Sequence, residues 1–283
     1  MTIRAGFVGL GNIGAPMAER LARGDLETTV YDVNATALEP ARAAGARAAA
    51  SPRELAAESD VIGICVRDDA DVRAVVFGED GVLAGAAPGT VLAIHSTILP
   101  STVHEVAEAA RVRGVAVVDA CITGGRVGAA QGKLTYMVGG EAEHLERCRP
   151  AFETSAAEIV HTGPLGSGAA TKLCNNLMTY LNFLSAFEAT LLARGAGLSQ
   201  EALERVTRGN GNLSPQAQAF LGLHKVPAEK RAEDGFRAIL RNFTELAEKD
   251  LAVTLAFARE CGVSLPSTAL CQQLMARVYG LED

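Results

Sequence analysis

Lys172 and Asn176 stand four residues apart near the end of the segment Gly163-Pro164-Leu165-Gly166-Ser167-Gly168-Ala169-Ala170-Thr171-Lys172-Leu173-Cys174-Asn175-Asn176. A helix through this stretch puts an ammonium and a carboxamide on one face. A lysine can take or give a proton, and a neutral amide can align an oxygen; together they can handle a hydroxyl or a carbonyl. From the residues alone, a surface lysine and a locally hydrogen-bonded helix asparagine account for the pair equally well. A second chemistry-bearing segment lies near the start. Gly9-Leu10-Gly11-Asn12-Ile13-Gly14 follows the apolar run Ile3 to Val8 and precedes a helical stretch, Ala15 to Leu21, whose Pro16 is tolerated in a first turn. Thr28 to Tyr31 then reads as a strand ending at Asp32. Strand, glycine turn, helix, strand and terminal acid, in that order, suit a dinucleotide. A glycine turn serving packing alone is the alternative.

Each glycine has a task in that reading. Gly9 permits the tight turn, Gly11 lets backbone approach a pyrophosphate, and Gly14 lets the helix pack closely. The amides of the loop, with Leu10, Asn12 and Ile13 between the glycines, and the positive helix end offset phosphate charge. Asp32 is placed to accept hydrogen bonds from the adenine-ribose hydroxyls. Its carboxylate would repel a ribose phosphate, and Val33-Asn34 supply no arginine in compensation. The expected cofactor is therefore NAD rather than NADP.

The elements that must position these groups continue the alternation. Ala35 to Gly45 reads as helix, Ala56 to Ser59 leads into a strand Val61 to Val66, and Asp71 to Val76 reads as helix. Val91 to Ile94 is a strand, Thr102 to Arg111 a helix, and Val115 to Asp119 a strand. Short apolar strands alternating with amphipathic helices predict an α/β fold with parallel strands covered on both faces, a Rossmann nucleotide-binding domain. Ligands of such sheets lie beyond the carboxyl ends of the strands, which brings Val66 and Thr97 into the cofactor-binding set. Helical periodicity then takes over at Ala169 to Arg194, Gln200 to Arg208, Phe236 to Glu260 and Leu270 to Tyr279. The expected division is a nucleotide-binding domain over 1–163 and a helical substrate and oligomerisation domain over 164–283. Gly166 and Gly168 are expected to let the helix start approach the cofactor.

Composition narrows the classes. A chain of 283 residues with 48% hydrophobic and 21% charged residues has room for two packed domains and is not largely disordered. A net charge of −7 argues against an extended nucleic-acid partner, which needs a basic surface. The six cysteines contain no CxxC pair and no zinc-ligand spacing, so no metal is expected. Most of them are read as small buried apolar groups in a reducing compartment. The start lacks signal-peptide architecture and no stretch reaches membrane-spanning length; the expected location is the cytoplasm, with no membrane partner.

In combination these segments resemble the beta-hydroxyacid dehydrogenase family, particularly its 3-hydroxyisobutyrate dehydrogenase branch. The resemblance spans nearly the whole chain. It is carried by Gly9 to Gly14, Ser96-Thr97-Ile98-Leu99-Pro100, Asp119-Ala120-Cys121-Ile122-Thr123-Gly124-Gly125, Gly163 to Asn176, and Lys249-Asp250-Leu251. It implies a 6-phosphogluconate dehydrogenase-like all-α carboxy-terminal domain, with Lys172 as catalytic acid/base and Asn176 orienting substrate. It also implies that Thr123, where the family has serine, holds a substrate carboxylate with Gly124 and Gly125. Cys121 replaces the usual proline and is read as packing; Ile13 replaces a common methionine. Lys249 is implied near the nicotinamide end or substrate. Asp250 either orients that lysine or caps local polar groups or, as the residues alone favour, forms a solvent-facing ion pair. His95 either lines the cofactor cleft or is a partly buried hydrogen bonder. Arg126 either meets an acidic substrate or faces solvent, and the Asn210 to Ser214 turn is implied near the substrate entrance.

The expected reaction is reversible oxidation of a small carboxylate-bearing beta-hydroxy acid, 3-hydroxyisobutyrate-like, to a semialdehyde or keto acid. Two alternatives stand beside it: a semialdehyde reductase acting on succinic or tartronic semialdehyde, and a nucleotide-binding regulatory protein without turnover. An imine-reducing relative fits less well, because Lys172 is retained. The resemblance also implies a homodimer or homotetramer.

Overall fold

The apolar alternation along the amino-terminal strands is used on both sides of one eight-stranded sheet. The computed structural model describes residues 3–282. Its strands are β1 (Arg4–Val8), β2 (Glu27–Tyr31), β3 (Arg47–Ala48), β4 (Val61–Ile64), β5 (Val91–Ile94), β6 (Ala116–Thr123), β7 (Leu134–Gly139) and β8 (Ala156–Gly163). Their order across the sheet is β3-β2-β1-β4-β5-β6-β7-β8. From β3 to β6 every pairing is parallel, with Val8 opposite both Tyr31 and Ile64, and Ile94 opposite Asp119. This is the expected doubly wound Rossmann arrangement, with the strand order reversing beside β1. Successive side chains enter different cores: Phe7 packs with Met17, Ala18 and Val118 on one face, and Val8 with Ile62, Ile64 and Leu92 on the other.

Two features depart from the expected pattern. β7 runs antiparallel to β6, with Asp119 opposite Gly139 and Thr123 opposite Thr135. The Gly125–Gln131 helix ends at Gly132 in the left-handed region, which returns the chain beside its own strand. β6 is also longer than the apolar run Val115 to Asp119. Past Asp119 it has left β5 behind, and β7 alone supplies its ladder. That extension carries Thr123 beyond the end of the parallel strands.

Compact grouping of the chain gives one unit through Lys172 and another from Leu173. The division falls inside a single helix, Ser167–Gly195. The second unit is helical, as expected, and includes Gln200–Gly209, Pro215–His224 and Asp234–Glu260. The stretch expected as one helix from Leu270 to Tyr279 is two, Pro266–Gln273 and Met275–Val278. Its core gathers Tyr180, Leu184, Phe220, Leu251, Met275 and Tyr279, with Phe183 stacked on Phe220 at a centroid separation of 4.7 Å. Among the described residues, no helix is long and apolar enough to cross a membrane.

The cysteines divide evenly. Cys121, Cys148 and Cys271 are buried, Cys65 is half-buried, and Cys174 and Cys261 are exposed. The reading of most of them as buried apolar groups therefore holds for three. Cys174 and Cys261 fall on outward positions of their segments, where no apolar neighbour covers them fully.

Candidate active site

The loop after β1 is shaped by what surrounds its glycines. Gly9 has φ +93°, and a Cβ there would lie 2.3 Å from the Cys65 carbonyl oxygen. A Cβ on Gly14 would lie 2.0 Å from the Gly9 carbonyl oxygen, so the helix Gly14–Arg23 can start this close to the turn only without a side chain. Gly11 differs from both: a Cβ there would meet nothing within 4 Å. Its open side leaves backbone accessible to a ligand. Asp32, half-buried at the end of β2, accepts from the Leu10 amide at 2.6 Å and the Asn34 amide at 2.7 Å, one on each oxygen. Each oxygen retains acceptor capacity for a hydroxyl. The acid therefore braces the glycine turn, a role that strand-terminal position alone did not reveal.

The neighbouring strand ends close around this loop. The Cys65 amide donates to Val8 at 2.8 Å, the His95 amide to Ile64 at 2.8 Å, and the Val66 amide to the Ser96 hydroxyl at 2.9 Å. Beyond Thr97, the Leu99 amide and the Thr102 hydroxyl both donate to Asp69, at 3.0 and 2.6 Å. Val66 and Thr97 thus sit with Gly9 to Gly14 on the carboxyl edge of the sheet, and Thr123-Gly124-Gly125 follow β6 to that edge. Gly124 and Gly125 take φ +123° and +64°. Open amides at Gly11, a braced turn and a retained acid fit a dinucleotide.

His95 is not a cleft residue. It is 5% exposed, its Nδ1 lies 2.7 Å from the Ala120 carbonyl oxygen, and its ring packs against Phe7, Tyr136 and Phe152. Burial lowers its pKa from 6.5 to about 4, so at neutral pH it is an uncharged core hydrogen bonder.

The helix carrying Lys172 is anchored by a residue that received no role from its sequence context. The Asp119 carboxylate, fully buried in β6, accepts from the Gly166 amide at 2.8 Å and the Ala169 amide at 2.7 Å. These are donors that a helix start leaves unpaired, and the negative charge suits the positive end of the helix. Gly168 serves this contact rather than an approach to cofactor: a Cβ there would lie 2.4 Å from the Met137 carbonyl oxygen and 2.8 Å from that of Asp119. Gly166, at φ +87°, faces His104. Gly168 lets the helix start close upon the strands, and Gly166 lets it close upon the Pro100–Arg111 helix. Asp119 also ties that start to the strand ending in Thr123.

One turn beyond Lys172, Asn176 is buried and its amide donates to Asp250 Oδ2 at 2.7 Å. The Tyr180 hydroxyl donates to the same oxygen at 3.2 Å. Burial and then the Asp250 charge push the Tyr180 phenol well above its ordinary value, keeping it a donor. Lys249 Nζ lies 2.7 Å from Asp250 Oδ1, off the direction of a hydrogen bond, so that oxygen keeps an ion pair without one. Asp250 is 4% exposed. The solvent-facing ion pair expected there is corrected: the carboxylate lies inward because Asn176 and Tyr180, on successive turns of one helix, give it donors. Lys249 itself is half-buried.

The Asn210 to Ser214 turn is latched onto the same helix. Asn182 donates its amide to the Asn212 carbonyl oxygen at 3.1 Å and accepts from the Ser214 hydroxyl at 2.9 Å. Ser214 also caps the Pro215–His224 helix. Cys121 is buried against the Ser96 carbonyl, in keeping with packing. Arg126 is exposed, and its Nη1 donates to the Asn12 carbonyl oxygen at 3.1 Å. Among the described residues, no group of three or more His, Cys, Asp or Glu side chains could hold a metal ion.

Residues 4–163 match the family model for the NAD binding domain of 6-phosphogluconate dehydrogenase. Residues 166–281 match that for the NAD-binding region of NADP-dependent 3-hydroxyisobutyrate dehydrogenase. An NAD-dependent L-serine dehydrogenase of Pseudomonas aeruginosa is 36% identical, covering 95% of this chain and 89% of its own. A 3-hydroxyisobutyrate dehydrogenase of the same organism is 33% identical, covering 95% and 90%. The solved structure of a Mycobacterium tuberculosis 3-hydroxyisobutyrate dehydrogenase with L-serine superimposes with a TM-score of 0.83 at 31% identity, covering 98% of this chain and 94% of that one.

Proposed function

This chain belongs to the beta-hydroxyacid dehydrogenase family, and from that premise we propose that it is an NAD-dependent oxidoreductase of small beta-hydroxy acids of the 3-hydroxyisobutyrate and L-serine class. The observation that carries the reading is the anchored helix. Asp119, four residues before Thr123 on β6, holds the amide of Ala169, three residues before Lys172. That bond fixes a lysine-bearing helix to the strand that presents the hydroxyl and glycine amides. The assignment of NAD rests on Asp32, whose carboxylate repels a ribose phosphate, with Val33 and Asn34 offering no compensating charge.

In this mechanism Thr123 and the amides of Gly124 and Gly125 hold the substrate carboxylate. Asn176, itself fixed by Asp250, aligns the reacting oxygen. Lys172 Nζ accepts the hydroxyl proton in oxidation and returns it in reduction. The nicotinamide, when bound, supplies the hydride acceptor. Gly9 to Gly14, Asp32, Val66 and Thr97 bind the cofactor, and Lys249 is assigned to it as an additional cation. Residues 1–163 form the nucleotide-binding domain in this reading, and 164–283 the substrate and oligomerisation domain of a cytoplasmic homodimer or homotetramer.

A turnover screen with NAD and NADP tests the proposal, across 3-hydroxyisobutyrate, L-serine, 3-hydroxypropionate, D-glycerate and 4-hydroxybutyrate. Reduced nucleotide should form with NAD and one of the beta-hydroxy acids. Preference for the 4-hydroxy acid would favour a succinic semialdehyde reductase instead. Tight dinucleotide binding without turnover on any of them would favour a regulatory nucleotide-binding protein.

A further inference from the structure

Arg126 occupies the first turn of the Gly125–Gln131 helix, directly after the Gly124-Gly125 pair, and that helix packs against the Gly14–Arg23 helix. Its side chain is exposed, yet it reaches 114 positions back along the chain to donate one hydrogen bond to Asn12, in the middle of the glycine turn. A guanidinium carries five N–H donors, so most of its capacity is left for another acceptor. Its charge is also uncompensated. Arg4, Arg23, Arg42, Arg47, Arg67, Arg73, Arg111 and Arg149 each pair with a carboxylate. Among the described residues Arg126, like Arg20, Arg113 and Arg147, bonds backbone carbonyls and has no carboxylate partner; of these four it alone bonds the Gly9–Gly14 turn. An unpaired cation is thus tethered to the backbone of the loop that faces a dinucleotide.

We propose that Arg126 is a cofactor-binding residue, directed at the pyrophosphate across the Gly9–Gly14 turn. The inference rests on the dinucleotide reading of that turn. Loop amides and a helix end contribute only partial positive charge, roughly half a unit at a helix terminus. A pyrophosphate carries two negative charges, and a planar guanidinium meets phosphate oxygens with two parallel donors and a full charge. In a chain of net charge −7, an anionic ligand also needs a local cation to offset the overall repulsion. Arg126 joins the substrate loop to the cofactor loop, because the residue that carries it immediately follows Gly125.

The test is NADH titration by fluorescence and ADP-ribose competition on the full-length protein, comparing wild type with Arg126→Gln and Arg126→Lys. Glutamine keeps a donor for the Asn12 carbonyl and removes the charge. It should weaken NADH and ADP-ribose alike, by about tenfold. The dependence of binding on ionic strength should flatten, and the substrate KM at saturating nucleotide should stay unchanged. Lysine should recover part of the affinity and the salt dependence. Unchanged affinity for both ligands in Arg126→Gln overturns the assignment. A rise in substrate KM alone overturns it too and gives Arg126 to the substrate. Weakened binding with an unaltered salt dependence overturns the charge argument and leaves only a loop brace. Wild type that bound neither NADH nor ADP-ribose would remove the dinucleotide reading itself, a result distinct from any difference between variants.

Discussion

The glycine turn and the Lys172 helix are two regions built by opposite means. The turn is assembled from residues close in the chain: Gly9 to Gly14 and Asp32 lie within one strand-helix-strand unit, and the brace from Leu10 to Asp32 spans 22 positions. The Lys172 helix is held by carboxylates from afar, Asp119 at 47 and 50 positions and Asp250 at 74. A site made locally survives as a motif. A site made by distant buried acids depends on the whole fold being correct, because each acid has few alternatives to its native donors.

The largest expected effect tests the helix region directly. Lys172→Ala should lower turnover by about 10³-fold, the range of a lost general acid/base, while NADH affinity measured by titration stays the same. An equal loss of both would mean that the two regions are one energetic unit, and the contrast drawn between them would fail.

Stability should separate the regions next. Asp119→Ala leaves the Gly166 and Ala169 amides buried without acceptors, and should cost about 3 kcal/mol in denaturant unfolding. Asp119→Asn, which keeps one acceptor, should recover part of that. Turnover should fall in both variants more than NADH affinity does, since the anchor serves the Lys172 helix. Unchanged turnover in a folded Asp119→Asn protein would reduce the anchor to a purely structural bond.

The nucleotide-binding unit has its own buried titrating group. His95 stays neutral when folded down to about pH 4, whereas an unfolded histidine takes a proton below its ordinary value of 6.5. Its contribution is fully present above pH 6.5 and is lost as pH falls towards 4, about 3 kcal/mol over that window. Denaturant titrations across this range should show the slope, and His95→Gln should remove most of it. A slope that persists in the variant assigns the acid sensitivity to other groups.

The smallest effect sharpens the local side. Asp32→Ala should weaken NAD about tenfold through the lost ribose acceptor and the loosened Leu10 amide, and narrow the preference over NADP. If the nucleotide preference does not move, Asp32 is a brace for the turn alone.

Much of this protein is legible in its amino-acid sequence. The order of strands and helices through β6, the glycine turn with its terminal acid, and the lysine-asparagine spacing follow from local periodicity and short-range geometry. Those signals repeat every two or 3.6 residues, or are confined to one turn. The extension of β6 to Thr123 was not legible, because its last residues depend on hydrogen bonds from β7, a strand whose direction is set by the return at Gly132. Neither was the inward turn of Asp250, whose adjacency to Lys249 suggests a surface pair until Asn176 and Tyr180 are placed beside it. Gly168 was marked as an approach to the cofactor, and only the packing showed that strand carbonyls stand there instead. What residue types and spacing determined was which groups are available and which share a face. Tertiary structure alone decided which acids are buried against which donors, because that choice is made between segments the chain brings together only on folding.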